Sequence, residues 1–177
     1  MGSEMCIRDR IMEEPPYWSF CWASGQVLAE YLLSHPEWVK GRCVVDVGPG
    51  SGVVAIAAAL AGAARVIACD LDQDALTATA LNGAENRVEI ELSQDLDTAL
   101  AAADLVTAAD ILYDRENLPL LARFQQAAQV LLADSRVPDL NPPGYQLLGQ
   151  WQSCTWPDLG ESSEYNGVRV FASEPSP

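Results

Sequence analysis

The stretch VVDVGPGSGVVAIAAALAGAARVIACDLD, Val44 to Asp72, decides the fold. An apolar run ends in Asp46, three glycines follow at alternate positions (Gly48, Gly50 and Gly52), and the chain continues at once into small apolar residues. "CVVDV" reads as a buried strand, "SGVVAIAAALAG" as a helix ended by Gly62, and "RVIACD" as a second buried strand. That is one βαβ unit whose first turn is a glycine loop, the place where such units receive a nucleotide.

Working outward, "SGQVLAEYLL", Ser24 to Leu33, puts Val27, Leu28, Tyr31 and Leu32 on one helical face, with Ser24 able to cap the start. Downstream, "QDALTATALNG" predicts a helix closed by Asn82-Gly83, "RVEIEL" a third strand and "ADLVTAAD" a fourth. "ENLPLLARFQQAAQ" follows as a helix with Pro119 in its first turns, and "QVLLAD" as a fifth strand. Strands alternating with helices mean a parallel sheet covered on both faces, with ligands at the carboxyl ends of the strands. From Ser135 the alternation fails. "SRVPDLNPPGY" is turn-rich, "YQLLGQW" fits a short helix, and "QSCTWPDL" and "GVRVFASE" fit two strands of an antiparallel hairpin.

The glycine spacing bears on the nucleotide. A dinucleotide loop uses G-x-G-x-x-G, whose third glycine lets the helix pack on the strand. Here the third glycine comes one residue early and Asp46 stands two residues before the first. Bare backbone beside a carboxylate suits a ligand that has no pyrophosphate but carries cationic groups, and S-adenosyl-L-methionine has both a sulfonium and an ammonium. Asp70, at the end of the second strand, is placed to accept ribose hydroxyls, which acids do for both cofactor classes. A dehydrogenase, or a glycine turn in an unrelated α/β protein, therefore stays open on these residues alone.

Composition narrows the partners. The chain has 177 residues, 25 acidic against 10 basic side chains and a formal charge of −15; Lys40 is its one lysine. Such a surface repels phosphate backbones and anionic lipid and suits a basic partner, so neither nucleic acid nor membrane is expected. Val53 to Cys69 is too short for a bilayer span and carries Arg65. The five cysteines are scattered and His35 is the sole histidine. No metal site or disulfide framework is indicated, and reduced thiols without a secretory leader point to the cytoplasm. The polar, unpatterned opening MGSEMCIRDR is expected to be a non-native leader over residues 1–10. A lead-in segment and helix would occupy 11–40 and a single cofactor-binding domain 41–177.

Two segments compete to define what the cofactor acts on. "NPPGY", Asn141 to Tyr145, looks like a motif that holds planar amino groups, but it follows the fifth strand instead of ending the fourth and contains an extra glycine. It reads as a proline turn. The fourth strand ends instead in "ADILYDRE", an Asp-x-x-Tyr run at Asp110 and Tyr113. On that run the chain resembles the seven-β-strand, class I protein lysine methyltransferases. Within them it is most similar to the electron transfer flavoprotein β-subunit lysine methyltransferase branch, through "PPYWSFCWASGQVLAEYLL" and the glycine-loop stretch as well. The likeness runs from about Pro15 to Asp134 and then fades: the branch carries Gly-Asp-Pro-Gly-Arg after strand five, where this chain reads "LADSRVPDL".

The resemblance implies a Rossmann-like α/β sandwich with a mostly parallel seven-stranded sheet and a C-terminal antiparallel hairpin. It also implies S-adenosyl-L-methionine as cofactor. Trp22 would lie beside that cofactor, Gly48, Gly50 and Gly52 would form its loop, and Asp70 with Leu71 would meet the ribose. Gln94 or Asp95 would lie near the adenine, Ala109 would line the seat, and Asp110 with Tyr113 would frame a lysine channel. The implied partner is a protein with an accessible lysine, such as electron transfer flavoprotein β subunit or a ribosomal protein, with the enzyme a monomer.

Physical chemistry supports the last pair independently. Methyl transfer needs a neutral nitrogen aimed at the methyl carbon, and a free lysine, with pKa near 10.4, is mostly protonated at pH 7. A carboxylate would attract the ammonium and an aromatic wall would desolvate it. Whether Asp110 orients or deprotonates the amine stays open, as does a role as helix cap, although Asp114 can cap that helix by itself. A small-molecule methyltransferase and a cofactor-binding module without catalysis remain alternatives on the same fold.

Overall fold

The structure, a computed structural model, describes residues 16–173. The expected leader, residues 1–10, lies outside them. Seven strands form one sheet: β1 (Cys43–Val47), β2 (Arg65–Cys69), β3 (Glu91–Ser93), β4 (Leu105–Ala109), β5 (Gln129–Asp134), β6 (Tyr145–Gln152) and β7 (Gly167–Ser173). Their order across the sheet is β3-β2-β1-β4-β5-β7-β6. β3 to β5 pair parallel in register, while β7 runs antiparallel between β5 and β6. The order reverses at β1, which pairs with both β2 and β4, so the loop after β1 stands at the switch point where ligands of open α/β sheets bind.

Five α-helices cover the sheet: α1 (Ala23–Ser34), α2 (Val53–Leu60), α3 (Gln73–Glu85), α4 (Leu96–Ala101) and α5 (Leu118–Ala127). Side chains along a strand alternate between faces, so Val44 and Val45 enter different cores. One core joins Val44, Leu105 and Leu131 to α1 and α2 through Leu28, Leu32 and Ala55. The other joins Val45, Val106 and Leu132 to α4 and α5 through Leu100, Leu121 and Phe124. The central strands are buried along most of their length, as their unbroken apolar runs require. Among the described residues no helix is long and apolar enough to cross a membrane.

Four local expectations are corrected. Ser24 does not cap α1: Trp22 holds the N-cap position without a side-chain bond, and the Ser24 hydroxyl turns inward. Asn82-Gly83 does not close α3, which continues to Glu85, because Gly83 is buried where a Cβ would come within 3.2 Å of Ile90. "YQLLGQW" is not helical but forms β6, whose register against β7 shifts between Leu147 and Gly149. The hairpin is accordingly β6 with β7, and "QSCTWPDL" lies in the connection between them, tied by paired backbone bonds of Cys21 and Trp156, each 2.9 Å, to the lead-in segment. "NPPGY" is the expected turn, with Gly144 left-handed at φ +75°.

Candidate active site

The glycine loop opens a cleft lined by Trp22, Asp46, Gly48, Gly50, Ser51 and Ala109, among others. All three loop glycines have left-handed backbone, at φ +67°, +54° and +83°. At Gly52 a Cβ would meet Thr79 of α3 at 2.9 Å, so this glycine lets α3 close against the loop. At Gly50 the nearest atom would be the Trp18 Cα at 3.9 Å, which leaves bare backbone facing the cleft. α3 also holds the loop directly, since the Asn82 amide donates to the Ser51 carbonyl at 2.8 Å. The Gly48 N–H donates to the Cys69 carbonyl at 3.0 Å and the Gly52 N–H to the Pro49 carbonyl at 2.8 Å, so these two amides hold the turn itself and the Gly50 backbone is left facing the cleft.

Asp46 sits in the cleft wall yet is 2% exposed, and both of its oxygens accept bonds from the protein. Thr107 Oγ1 donates to Oδ1 at 2.8 Å, and the Ala55 N–H, in the first turn of α2, donates to Oδ2 at 3.1 Å. Burial pushes its carboxyl up to about 7. Asp46 therefore ties β1 to α2 and β4, with a donor on each of its oxygens.

At the end of β2, Asp70 is partly buried, accepts from the Asp72 N–H at 3.0 Å, and has its carboxyl pushed up by burial. Leu71 is 85% exposed beside it. The Gln94 amide donates to the Leu71 carbonyl at 3.0 Å, which joins the ends of β2 and β3. Asp95 is the N-cap of α4, accepting from the Thr98 N–H at 3.1 Å and its hydroxyl at 2.5 Å. Asp72 caps α3 as a helix-start acid should. Gln94 and Leu71 are thus joined at the ends of β2 and β3 beside Asp70, whereas the Asp95 side chain is taken up by its cap.

At the end of β4, Asp110 has left-handed backbone at φ 52° and is 7% exposed. Its Oδ1 accepts from Ser24 Oγ at 2.6 Å and from the Ser135 N–H and hydroxyl, both at 3.0 Å, while Oδ2 is buried without a partner. Asp110 bonds no helix terminus. Asp114 caps the following turn by accepting from the Glu116 N–H at 2.9 Å. Tyr113 is 62% exposed and lies 5.4 Å from the Tyr17 ring, which is 6.0 Å from Trp22. Tyr17, Trp22 and Tyr113 thus form an aromatic wall running from the cleft to Asp110.

Several residues of this wall escaped sequence reading. Arg136 lies 5.2 Å over the Trp22 ring and 4.7 Å over Tyr165, and its Nη1 donates to Glu161 at 2.7 Å. Glu161 also accepts from Thr155 at 2.7 Å, and the Gln26 amide donates to the carbonyls of Cys21 and Cys154 at 2.9 and 2.7 Å. The β6–β7 connection is thereby pinned over the end of β5. Asp134 spends Oδ1 on the N–H groups of Arg136 and Val137, and burial pushes its carboxyl up to about 6. Only "DSR" at the exit of β5 could have signalled this cluster. His35 is half-buried, stacked 4.2 Å from Tyr31 at the end of α1 and away from the cleft.

A parallel sheet with an antiparallel C-terminal pair, a glycine loop at its switch point and an acid closing β4 define a class, the Rossmann-like methyltransferases. The ribosomal protein L11 methyltransferase (PrmA) family model matches residues 30–129, over half of the chain, and the chain belongs to that family. Among individual proteins, the electron transfer flavoprotein beta subunit lysine methyltransferase of Rattus norvegicus is 38% identical over 167 residues, covering 89% of this chain and 65% of that protein. The Homo sapiens protein of that name is 40% identical over 104 residues, covering 57% and 40%. The chain thus spans between 40% and 65% of the length of these relatives.

Two solved structures have the same fold. Ribosomal protein L11 methylase from Lactobacillus delbrueckii subsp. bulgaricus superposes with a TM-score of 0.60 at 23% identity, covering 84% of this chain and 78% of that one. Magnesium protoporphyrin IX methyltransferase from Synechocystis PCC 6803 with bound SAM superposes with a TM-score of 0.63 at 16% identity, covering 86% and 80%.

Proposed function

We propose that the protein is an S-adenosylmethionine-dependent N-methyltransferase acting on lysine side chains of a protein. The observation that carries this reading is the Asp110 carboxylate, buried, with one oxygen unpartnered, at the end of an aromatic wall that begins in the glycine-loop cleft. S-adenosylmethionine, when bound, would supply the methyl group, its sulfur keeping the electron pair of the broken S–C bond while the amine lone pair makes the new N–C bond.

The loop backbone at Gly48 and Gly50 would seat the amino-acid end, with Asp70 on the ribose and Gln94 and Leu71 at the adenine edge. Asp46 would brace the loop from beneath by tying β1 to α2 and β4. Asp110 would draw an incoming ammonium to its free oxygen, and Tyr17 and Tyr113 would strip water from the amine, lowering the cost of losing its proton before transfer. Positioning carries most of the rate in such an in-line displacement. The acidic chain, with formal charge −15, favours a lysine-rich partner. The relatives' names supply two candidates, electron transfer flavoprotein β subunit and ribosomal protein L11.

The test is transfer of tritium from labelled cofactor to recombinant forms of both proteins and to a lysate, followed by peptide mass spectrometry. Label on lysine, lost in Asp110→Ala while that variant still binds cofactor by calorimetry, is the expected result. Label confined to metabolites would identify a small-molecule enzyme, and undiminished methylation by Asp110→Ala would remove Asp110 from the site.

A further inference from the structure

The Asp110 carboxylate is gripped from one side only. Three donors crowd Oδ1, from Ser24 on α1 and from the N–H and hydroxyl of Ser135 just past β5, at 2.6, 3.0 and 3.0 Å, while Oδ2 has none. A carboxylate oxygen has two lone pairs, so two donors already fill it and the third shares them. Asp46 shows the contrasting arrangement in the same molecule: an equally buried acid tying elements together, with one donor on each oxygen. Leaving a buried oxygen bare is costly, and Asp134 also does so, with the Arg136 and Val137 N–H groups on Oδ1 and none on Oδ2; what sets Asp110 apart is that two of its three donors are serine hydroxyls from separate elements. The backbone at Asp110 is also left-handed, at φ 52°, a conformation unfavourable for a non-glycine residue unless its surroundings enforce it.

Ser24 itself gives up the local job its sequence suits. A serine beside the first turn of a helix ordinarily bonds that helix's own N–H groups. Here the hydroxyl is fully buried and points 86 residues along the chain to Asp110.

We infer that Ser24 and Ser135 are positioning residues that saturate Oδ1 of Asp110 and so present Oδ2 to the acceptor ammonium. This rests on the lysine reading above. The two serines act through Asp110: they fix the carboxylate plane through hydrogen bonds from two separate elements, so that Oδ2 would be held in one orientation toward an acceptor amine.

The experiment compares Ser24→Ala, Ser135→Ala, the double variant and Ser24→Thr with the parent enzyme, using recombinant electron transfer flavoprotein and ribosomal protein L11 as acceptor probes. Each serine removed is expected to lower kcat by about 10- to 100-fold, with S-adenosylhomocysteine affinity by calorimetry within about twofold of the parent. Ser24→Thr, which keeps the hydroxyl, restores most of the rate. In an Asp110→Asn background, adding Ser24→Ala brings no comparable further loss. Unchanged kcat in the double variant, or serine effects that add fully to Asp110→Asn, overturn the inference.

A readout without turnover separates this from the lysine reading. In crystals with S-adenosylhomocysteine, the Asp110 carboxylate of the double variant turns from its parent orientation. If the parent labels no protein, the lysine reading fails, and the clamp then stands or falls on that orientation. A carboxylate that does not move refutes it.

Discussion

Alanine placed at each loop glycine should separate the loop's architectural duty from its binding duty. At all three positions alanine must adopt left-handed backbone, costing about 1–2 kcal/mol, partly offset by about 0.4–1 kcal/mol from a less flexible unfolded chain. The surroundings then decide. At Gly52 the new Cβ would lie 2.9 Å from Thr79 Cγ2 and 3.0 Å from Thr79 Cα, and the latter is helix backbone that cannot rotate away. Overpacking of that kind adds about 1–3 kcal/mol. Gly52→Ala should therefore lose roughly 2–4 kcal/mol, a fall in Tm of roughly 5–15 °C for a domain of this size. At Gly48 the contact is a rotatable Ile111 methyl at 3.0 Å, and the loss should be intermediate.

At Gly50 the nearest atom is 3.9 Å away, so only the backbone cost remains and Tm should drop by no more than about 4 °C. Its affinity for S-adenosylhomocysteine should nevertheless fall by about tenfold or more, because the added methyl stands on backbone that faces the cleft. Thermal unfolding by circular dichroism and isothermal calorimetry on the three variants test this directly. Equal Tm losses at Gly50 and Gly52 would refute the packing argument, and a Gly50→Ala protein that binds like the parent would remove the loop from the cofactor seat.

Other expectations concern charge and tethering. The Asp46 carboxyl, up to about 7 when folded against about 3.9 unfolded, binds its proton more tightly in the folded state. Its contribution is therefore complete below about pH 4 and is lost as pH rises to about 7, on the order of 2–4 kcal/mol. Urea unfolding at pH 5 and pH 7.5 should show the parent losing more stability than Asp46→Asn across that interval, and equal slopes would contradict it. Arg136→Lys keeps the charge but not the flat stack between Trp22 and Tyr165, so amide exchange in residues 153–166 should accelerate about tenfold by mass spectrometry while Tm moves little. Tyr145→Phe removes the bond its hydroxyl donates to the Leu121 carbonyl at 2.9 Å and should cost about 1 kcal/mol in urea unfolding.

What was legible in the sequence was what local chemistry dictates. The βαβ unit, the glycine loop at its first turn, the Asp114 cap and the proline turn at 141–145 each depend on residues close to one another in the chain. The β6 misreading has a physical cause. Apolar side chains at Tyr145, Leu147, Leu148 and Trp151 break strict alternation because the register shifts between Leu147 and Gly149, and the resulting spacing mimics a helical stripe. Gly83 misled in a different way, since a glycine kept for close packing under Ile90 looks in sequence like a helix stop. Around the candidate site, Asp110 and Tyr113 were visible as a spacing, but Ser24 and Ser135 were not. Their partner is set by tertiary packing, and the local rule for Ser24 pointed to a helix cap. Arg136 appeared only as a surviving fragment of a family pattern, with nothing to indicate Trp22, Tyr165 and Glu161 around it.

The two halves of the cleft differ in how much chain each must recruit. Loop and backing helix meet over 29 and 31 residues, through Thr79 donating to the Gly50 carbonyl and Asn82 to that of Ser51. The Asp110 clamp reaches back 86 residues to Ser24 and forward 25 to Ser135, and the strand connection closes over it from the far end of the chain. Closing long loops is entropically costly, so the contacts between the glycine loop and its backing helix are easier to close than the 86-residue link from Asp110 to Ser24. On the ribosome, the glycine loop and its helix exist in full before Ser135 has been added. The order of synthesis thus delivers the packing of the glycine loop first and the contacts of Asp110 last.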